Sequence, residues 1–427
     1  MSNLVPEGWN SSPISDVLNK IIDFRGRTPK KLGMTWGGGN IRALSANNVQ
    51  MGKVNFQKEC YLASIELYQK WMTKGETEKG DVLFTMEAPL GNVALVPNDD
   101  RYILSQRVIL LKHDRTKVLS DFLFQQMRSD SFQNVLRENA TGSTALGIQQ
   151  KRLITLDIVL PPLPEQKKIA AILTSVDEVI EKTQAQINKL KDLKTGMMQE
   201  LLTRGVGVDG KPHVEFKDSP VGRIPKGWDV VPISALCSHI VDCVNKTAPV
   251  VDYKTPYKMI RTTNVRHGRV DTENVRSVTK ETYELWVRRL VPQKGDLIFT
   301  REAPVGECGI LEDERGVFLG QRTMMYRADT IKTSSHFLMY SLMSEYGKKQ
   351  LEDFSGGSTV PHMRVPDCGK ILVKIPPKNE QDLIVRSLKS VDAAITNKEA
   401  KLQKVNDTKK ALMQDLLTGK VRVKVEG

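Results

Sequence analysis

Residues 79–91 read Lys79-Gly80-Asp81-Val82-Leu83-Phe84-Thr85-Met86-Glu87-Ala88-Pro89-Leu90-Gly91, and residues 294–306 read Lys294-Gly295-Asp296-Leu297-Ile298-Phe299-Thr300-Arg301-Glu302-Ala303-Pro304-Val305-Gly306. In each, a short β-type run passes into a Pro- and Gly-punctuated turn. The two stretches lie 215 residues apart. The same offset carries Leu104-Ser105-Gln106-Arg107 onto Leu319-Gly320-Gln321-Arg322, and Gly142-Ser143-Thr144 onto Gly357-Ser358-Thr359. It also carries Pro161-Pro162 with Glu165-Gln166 onto Pro376-Pro377 with Glu380-Gln381, and Met198-Gln199-Glu200-Leu201-Leu202-Thr203 onto Met413-Gln414-Asp415-Leu416-Leu417-Thr418. One constant offset over so long a stretch marks an internal duplication. Nearer the start of each repeat the offset drifts. Pro6-Glu7-Gly8-Trp9 matches Pro225-Lys226-Gly227-Trp228 at 219, and Asn48-Val49 matches Asn264-Val265 at 216. Small insertions are therefore confined to that part, where loops vary.

Each repeat has two parts. The first is rich in short β-type runs such as Val82-Leu83-Phe84-Thr85 and Val108-Ile109-Leu110-Leu111, with helical stretches such as 120–137 between them, which predicts an α+β globule built on a twisted sheet. The second part is one long helix. Apolar residues fall at Ile169, Leu173, Val176, Ile180, Ile187, Leu190, Met197 and Leu201, with gaps at Thr183 and Lys194. They recur at Ile384, Leu388, Val391, Ile395, Leu402, Val405, Leu412 and Leu416, with gaps at Lys398 and Lys409. That four-three alternation is a coiled-coil seam, and each helix should be roughly 58 Å long at 1.5 Å per residue. The two seams are expected to pack on each other as an antiparallel coiled coil separating two similar mixed α/β globules. The expected boundaries are a first globule at 1–163, a helix at 164–203, a linker at 204–228, a second globule at 229–378, a helix at 379–418 and a tail at 419–427.

The 427 residues are too many for one ordinary domain. The formal net charge of +13 favours a polyanionic partner, because neutralising phosphates releases counterions. Five scattered cysteines make no disulfide framework. The N-terminal segment lacks the basic and apolar regions of a signal peptide, and no apolar run approaches the roughly 20 residues of a membrane span. These features predict a soluble, cytoplasmic protein with no membrane association.

A globule opening Pro-x-Gly-Trp, carrying Gly-Asp-Val/Leu-x-Phe-Thr-x-Glu-Ala-Pro-x-Gly and followed by Pro-Pro, Glu-Gln and a long helix ending Leu-Leu-Thr, all written twice, resembles the specificity subunits of type I restriction–modification systems. The resemblance covers essentially the whole chain. Its second repeat reads Ile375-Pro376-Pro377-Lys378-Asn379-Glu380-Gln381 where the first reads Leu160-Pro161-Pro162-Leu163-Pro164-Glu165-Gln166. It implies that the globules are target-recognition domains for double-stranded DNA and the helices are spacers. It further implies that two methyltransferase (modification) subunits and ATP-dependent restriction subunits are the partners. S-adenosylmethionine, ATP and magnesium would serve those partners, and this chain would need no cofactor and catalyse nothing by itself. Two similar readers at a fixed separation read two half-sites, and because the repeats differ the target should be asymmetric. The competing reading is a nucleic-acid-binding scaffold unrelated to methylation.

Three motifs point elsewhere and fail. Gly205-Val206-Gly207-Val208-Asp209-Gly210 fits G-x-G-x-x-G but follows a helix instead of a strand. Pro161-Pro162 and Pro376-Pro377 lack the preceding Asn or Asp and the following aromatic of an adenine methyltransferase loop. Cys237-x-His239-x-x-Asp242-Cys243 lacks the spacing of a structural zinc site, so no metal is expected.

The duplication also sorts candidate DNA contacts. Residues shared by the repeats, such as Glu87/Glu302, Pro89/Pro304 and Gln106-Arg107/Gln321-Arg322, should hold the fold or the DNA backbone, and residues that differ should read bases. In the first repeat the candidates are the basic loop Arg25, Arg27, Lys30 and Lys31, then Arg42, Asn47 and Asn48, then Thr144, Gln149, Gln150, Lys151 and Arg152. In the second they are Arg261, Thr263, Asn264, Arg266, His267 and Arg269, then Ser358, Thr359, His362 and Arg364. Arg to guanine and Asn or Gln to adenine are the expected bidentate pairings.

Overall fold

The run Val82-Leu83-Phe84-Thr85 becomes a strand whose four residues are all buried, Val82–Thr85. Successive side chains of a strand point to opposite faces, so an unbroken apolar run requires cover on both. The cover is present. The computed structural model describes residues 5–143, 145–207, 210–356 and 361–425, and the chain divides into two units, residues 1–185 with 400–427, and residues 186–399.

In the first unit an antiparallel sheet runs in the order Leu18–Asp23, Val108–His113, Val82–Thr85, Val93–Leu95. Val82, Phe84, Ile109 and Leu111 face a core shared with the helices Ser120–Arg128 and Asp130–Glu138 and with Ile169 and Leu173 of the long helix. Leu83, Val108, Leu110 and Ile22 face a second core, built with the helix Ile65–Trp71 and a three-stranded sheet of Tyr61–Ala63, Ile41–Leu44 and Tyr102–Leu104.

The second unit repeats the plan. Strands Cys237–Asp242, Thr323–Ala328, Leu297–Thr300 and Cys308–Ile310 take the same order, and the sheet continues through Gly268–Val270 to Val265–Arg266. In the first unit the equivalent hairpin, Val49–Gln50 with Lys53–Val54, forms a separate two-stranded sheet. Strand Asn10–Pro13 pairs antiparallel with Asp157–Leu160, and Asp229–Pro232 with Leu372–Ile375, so the start and end of each globule lie side by side.

The long helices are Leu163–Leu201 and Lys378–Leu416, 39 residues each. Each unit contains part of both, and in each the two run antiparallel. In the first unit Leu412, Met413 and Leu416 pack in the core of Ile169 and Leu173, and Lys409 Nζ lies 2.5 Å from Asp177. In the second, Lys194 Nζ lies 2.7 Å from Asp392 and Lys191 lies 2.9 Å from Glu399. Two of the lysines that interrupt the apolar seam in the sequence, Lys194 and Lys409, are therefore its ionic positions, while the third, Lys398, donates to Gln186 at 2.7 Å. Asp177 also accepts from Arg128 and Gln125, both at 2.9 Å. Burial pushes its carboxyl up, but the bonds and charges of Arg128 and Lys409, with Gln125, outweigh this and hold it below the ordinary carboxylate range. Asp392 accepts from Tyr340, the counterpart of Gln125, at 2.6 Å. Polar pairs at seam positions fix register, because a slipped helix leaves a buried lysine without its carboxylate.

The doubled Glu-Gln motif ties each helix to its globule. Gln166 accepts from the Leu119 amide at 2.9 Å and donates to Lys117 and Pro161 carbonyls; Gln381 accepts from Thr333 at 2.8 Å and donates to Lys332 and Pro376 carbonyls. Glu165 accepts from the Trp9 indole and from Arg422, and Glu380 accepts from the Trp228 indole and contacts His213. Glu380 also takes the Val206 and Gly207 amides, at 2.9 and 3.2 Å. The described glycine-motif amides thus hold a carboxylate of this chain where a dinucleotide site would hold phosphate; Val208 and Asp209 lie outside the described residues. Among the described residues no helix is long and apolar enough to cross a membrane.

Candidate nucleic-acid interface

Strand register gathers the candidate loops at one end of each sheet. Asp23, Ile109, Phe84 and Val93 form one row across the first sheet. Segments 24–33, 105–107 and 86–92 consequently leave the sheet at the same end. Segment 45–50 joins them through the Ala46 amide on Gln106 O, 3.1 Å, and Asn92 on Val49 O, 2.9 Å. Segment 145–149 joins through the Ile148 amide on Met86 O, 3.0 Å. In the second unit the row is Asp242, Met324, Phe299 and Cys308. There the Gly320 amide bonds Ile260 O at 2.8 Å, Thr247 reaches Gln321 at 3.1 Å, and the Met363 amide bonds Arg301 O at 2.9 Å.

At this end of the first unit lies a groove of about 380 Å³ lined by Asn47, Gln50, Lys58, Ala88-Pro89, Gln106 and Arg107 among others. Arg107 forms an ion pair with Glu87, 3.3 Å, with both side chains about half exposed. Arg322, also half exposed, pairs with Glu302, which is more enclosed. Both arginines have positive φ, 66° and 72°, as do Ala88 at 39° and Ala303 at 51°. Non-glycine residues rarely adopt that conformation, and it concentrates at functional sites.

Several sequence candidates are exposed here: Lys30, Asn47, Gln149, Arg261, Thr263, His267, His362 and Arg364. Arg364 also pairs with Asp367 at 2.7 Å, leaving most of its side chain in solvent. Arg25 is paired with Asp23, 2.7 Å, and Lys31 donates to Gly26 O, 2.7 Å. Arg42 lies on strand Ile41–Leu44 with its guanidinium 4.9 Å over the Phe56 ring. Gln150, Lys151 and Arg152 sit on a short helix leading away from this end, and Arg152 is tied to Asn139 at 2.8 Å. Thr144, Ser358 and Thr359 lie outside the described residues.

Two expectations need correction. Asn48 is fully buried: its carboxamide accepts from the Ser45 amide and hydroxyl and donates to Lys58 and Glu59 carbonyls. Asn264 is buried likewise, accepting from the Arg261 amide and donating to Asn274 O. Neither offers an edge to a base; both close the turn that carries Asn47 and Thr263. Three further candidates are tied to other groups without being buried: Arg27 donates to the Lys70 and Trp71 carbonyls at the end of helix Ile65–Trp71. Arg266 donates one guanidinium nitrogen to the Thr262 and Val265 carbonyls, at 2.6 and 2.7 Å. Arg269 is bonded to Thr396 of the C-terminal helix. Sequence reading also passed over Gln50 and Lys58, which line the groove. The pairing of Asp242 with Arg301, 3.1 Å, and burial that pushes the Cys237 thiol up to about 12 give the Cys237–Cys243 stretch a structural account.

Asn48→Ala is expected to lower stability by about 2–3 kcal/mol, since it removes a buried carboxamide and strands the groups it satisfied. Urea unfolding of the variant checks this. If the chain also changes its preferred DNA sequence, Asn48 does more than close the turn.

A family model described as the type I restriction modification DNA specificity domain matches twice, at residues 6–192 and 225–407. The type I restriction enzyme MjaVIII specificity subunit of Methanocaldococcus jannaschii is 33% identical over 331 residues, 75% of each chain. The putative MjaX specificity subunit of the same organism is 27% identical over 425 residues, 98% of this chain and 95% of the relative. The EcoBI specificity subunit of Escherichia coli is 22% identical over 337 residues, 75% of this chain and 69% of the relative. The crystal structure of a type I restriction–modification S subunit from M. genitalium matches with a TM-score of 0.59 at 14% identity, covering 97% of both chains. A chain from a structure of type I restriction–modification complex assembly matches with a TM-score of 0.54 at 20% identity, covering 98% of this chain and 99% of that one. With both repeats matched and the doubled fold shared along its whole length, the chain belongs to the family of type I restriction–modification specificity subunits.

Proposed function

We propose that this chain is the DNA-recognition subunit of a type I restriction–modification complex, reading a bipartite, asymmetric target in duplex DNA. The observation that carries the reading is that polar and basic loops converge at the same end of both sheets. Around a shared Gln-Arg and Glu-Ala-Pro framework, the exposed side chains differ, Asn47 against Thr263 and Gln149 against Arg364. A common scaffold with different rims suits two different half-sites. The paired long helices serve as the spacer and as the docking surface for two modification subunits, and restriction subunits join that assembly. S-adenosylmethionine, ATP and magnesium act in those partners, and the complex works in the cytoplasm.

Sequencing methylated DNA from cells with and without this protein tests the reading. A split adenine-methylated motif that disappears with the gene is expected, and an unchanged methylome overturns it. The purified chain alone is expected to transfer no methyl group and cut no DNA. Turnover of S-adenosylmethionine by the isolated chain, measured against buffer, would contradict this.

A further inference from the structure

We propose that Arg107 and Arg322 are sequence-neutral phosphate anchors, one for each half-site, each held on its glutamate until duplex DNA displaces the carboxylate. The inference deepens the DNA-recognition reading and rests on it. Three observations carry it. Both arginines sit in the left-handed region, φ 66° and 72°, which glycine and asparagine hold far more readily. The two repeats have diverged at most surrounding positions, yet both keep an arginine where the backbone disfavours one. A purely structural turn would be served better by glycine.

Each guanidinium is also presented at the surface. Arg107 and Arg322 are 48% and 51% exposed, paired only with Glu87 and Glu302 respectively among the described ion pairs. Their backbones, in contrast, are fixed, because Arg107 O and Arg322 O each accept an amide at 2.9 Å from Met86 and Arg301. The anchor point is thus rigid and the charged end is free to change partner. Guanidinium binds phosphate and carboxylate with the same bidentate geometry, so one can replace the other without rebuilding the site.

Finally, the arginine stands beside side chains that differ between repeats. Asn47 lines the same groove in the first unit, and Thr263 takes its place in the second. A contact made identically beside two different readers carries no sequence information and sets the position of the duplex for both. The glutamate lowers the attraction for DNA in general, which favours release from wrong sequences.

The test uses the full-length chain with its modification subunit, a duplex carrying its own methylated motif and a scrambled duplex. Arg107→Gly removes the guanidinium and relieves the backbone, so its thermal midpoint should equal or exceed that of the parent. Its affinity should fall about tenfold at low salt for both duplexes alike, with the slope of log affinity against log salt reduced by about 1. Arg322→Gly should do the same, and Glu87→Gln should raise affinity for both duplexes. Unchanged binding in the glycine variants overturns the proposal, as does a change confined to one base position, which would make the arginine a base reader. Failure of the parent complex to prefer its motif over the scrambled duplex would instead overturn the DNA-recognition reading itself.

Discussion

Exchanging residues 229–375 for the equivalent part of a related specificity subunit is expected to change one half of the recognised sequence and leave the other half intact. The boundaries follow from strand pairing. Asp229 lies opposite Ile375 in the antiparallel pair of Asp229–Pro232 with Leu372–Ile375, so the exchanged segment enters and leaves at one place. The core around Ile298 and Met325 lies wholly inside the exchanged segment, whereas the core around Leu297, Phe299, Met324 and Tyr326 also takes Leu202, Trp228, Ile384 and Leu388 from outside it, so the donor segment must match those residues. Each mismatched base pair costs about 1–3 kcal/mol, so a half-site with roughly three read positions loses on the order of 10² to 10⁶ in affinity. Within the parent, Arg364→Ala should relax a single position by about 1–3 kcal/mol if its contact is bidentate. Competition with every single-base variant of both half-sites gives the answer. Equal shifts in both halves would sink the model of two independent readers.

Lengthening the helices should move the half-sites apart. Four residues inserted after Lys189 add about 6 Å, close to two base-pair steps, and turn the helix end by about 40°. In one helix alone, the insertion carries Lys194 away from Asp392 and the apolar seam out of register, leaving a half-buried pair and its apolar neighbours unmatched. Loss of DNA binding is then expected. A matching insertion after Glu399 keeps both Lys194–Asp392 and Lys409–Asp177 in place, because each pair lies wholly on one side of the insertions. The double variant is expected to methylate the two original half-sequences at a gap longer by about two base pairs. The same gap as in the parent would show that the helices do not set it.

Much of this architecture is written in the repeat. From Val82–Thr85 through Leu163–Leu201, the main strands and long helices recur 215 residues later. The seam lysines illustrate what pattern alone leaves out. Lys194 and Lys409 read as defects because hydropathy carries no information about the aspartate that a facing helix brings to them. The site was less visible for a related reason. Asn48, Asn264 and Arg27 belong to polar loops, but their side chains are taken by main-chain groups that only folding brings near. For the two asparagines a signal was available. They align with each other, and identity across diverged repeats marks a position that serves the fold or the DNA backbone and not the reading of bases, whereas Asn47 is replaced by Thr263.

The division of the long helices between the units also sets an order of events during synthesis. The second unit is one continuous stretch, residues 186–399, and all of its parts are in hand once that stretch has left the ribosome. The first unit needs Leu412, Leu416 and Leu417 to complete the core around Trp9, Ile14 and Ile169. Those leucines emerge more than 200 residues after the first globule, a wait of about 10–40 s at translation rates of 5–20 residues per second. The globule translated first is finished last. Until then the part of that core which Leu416 and Leu417 cover stays exposed, so the half translated first carries unburied apolar surface the longest and is the more aggregation-exposed of the two.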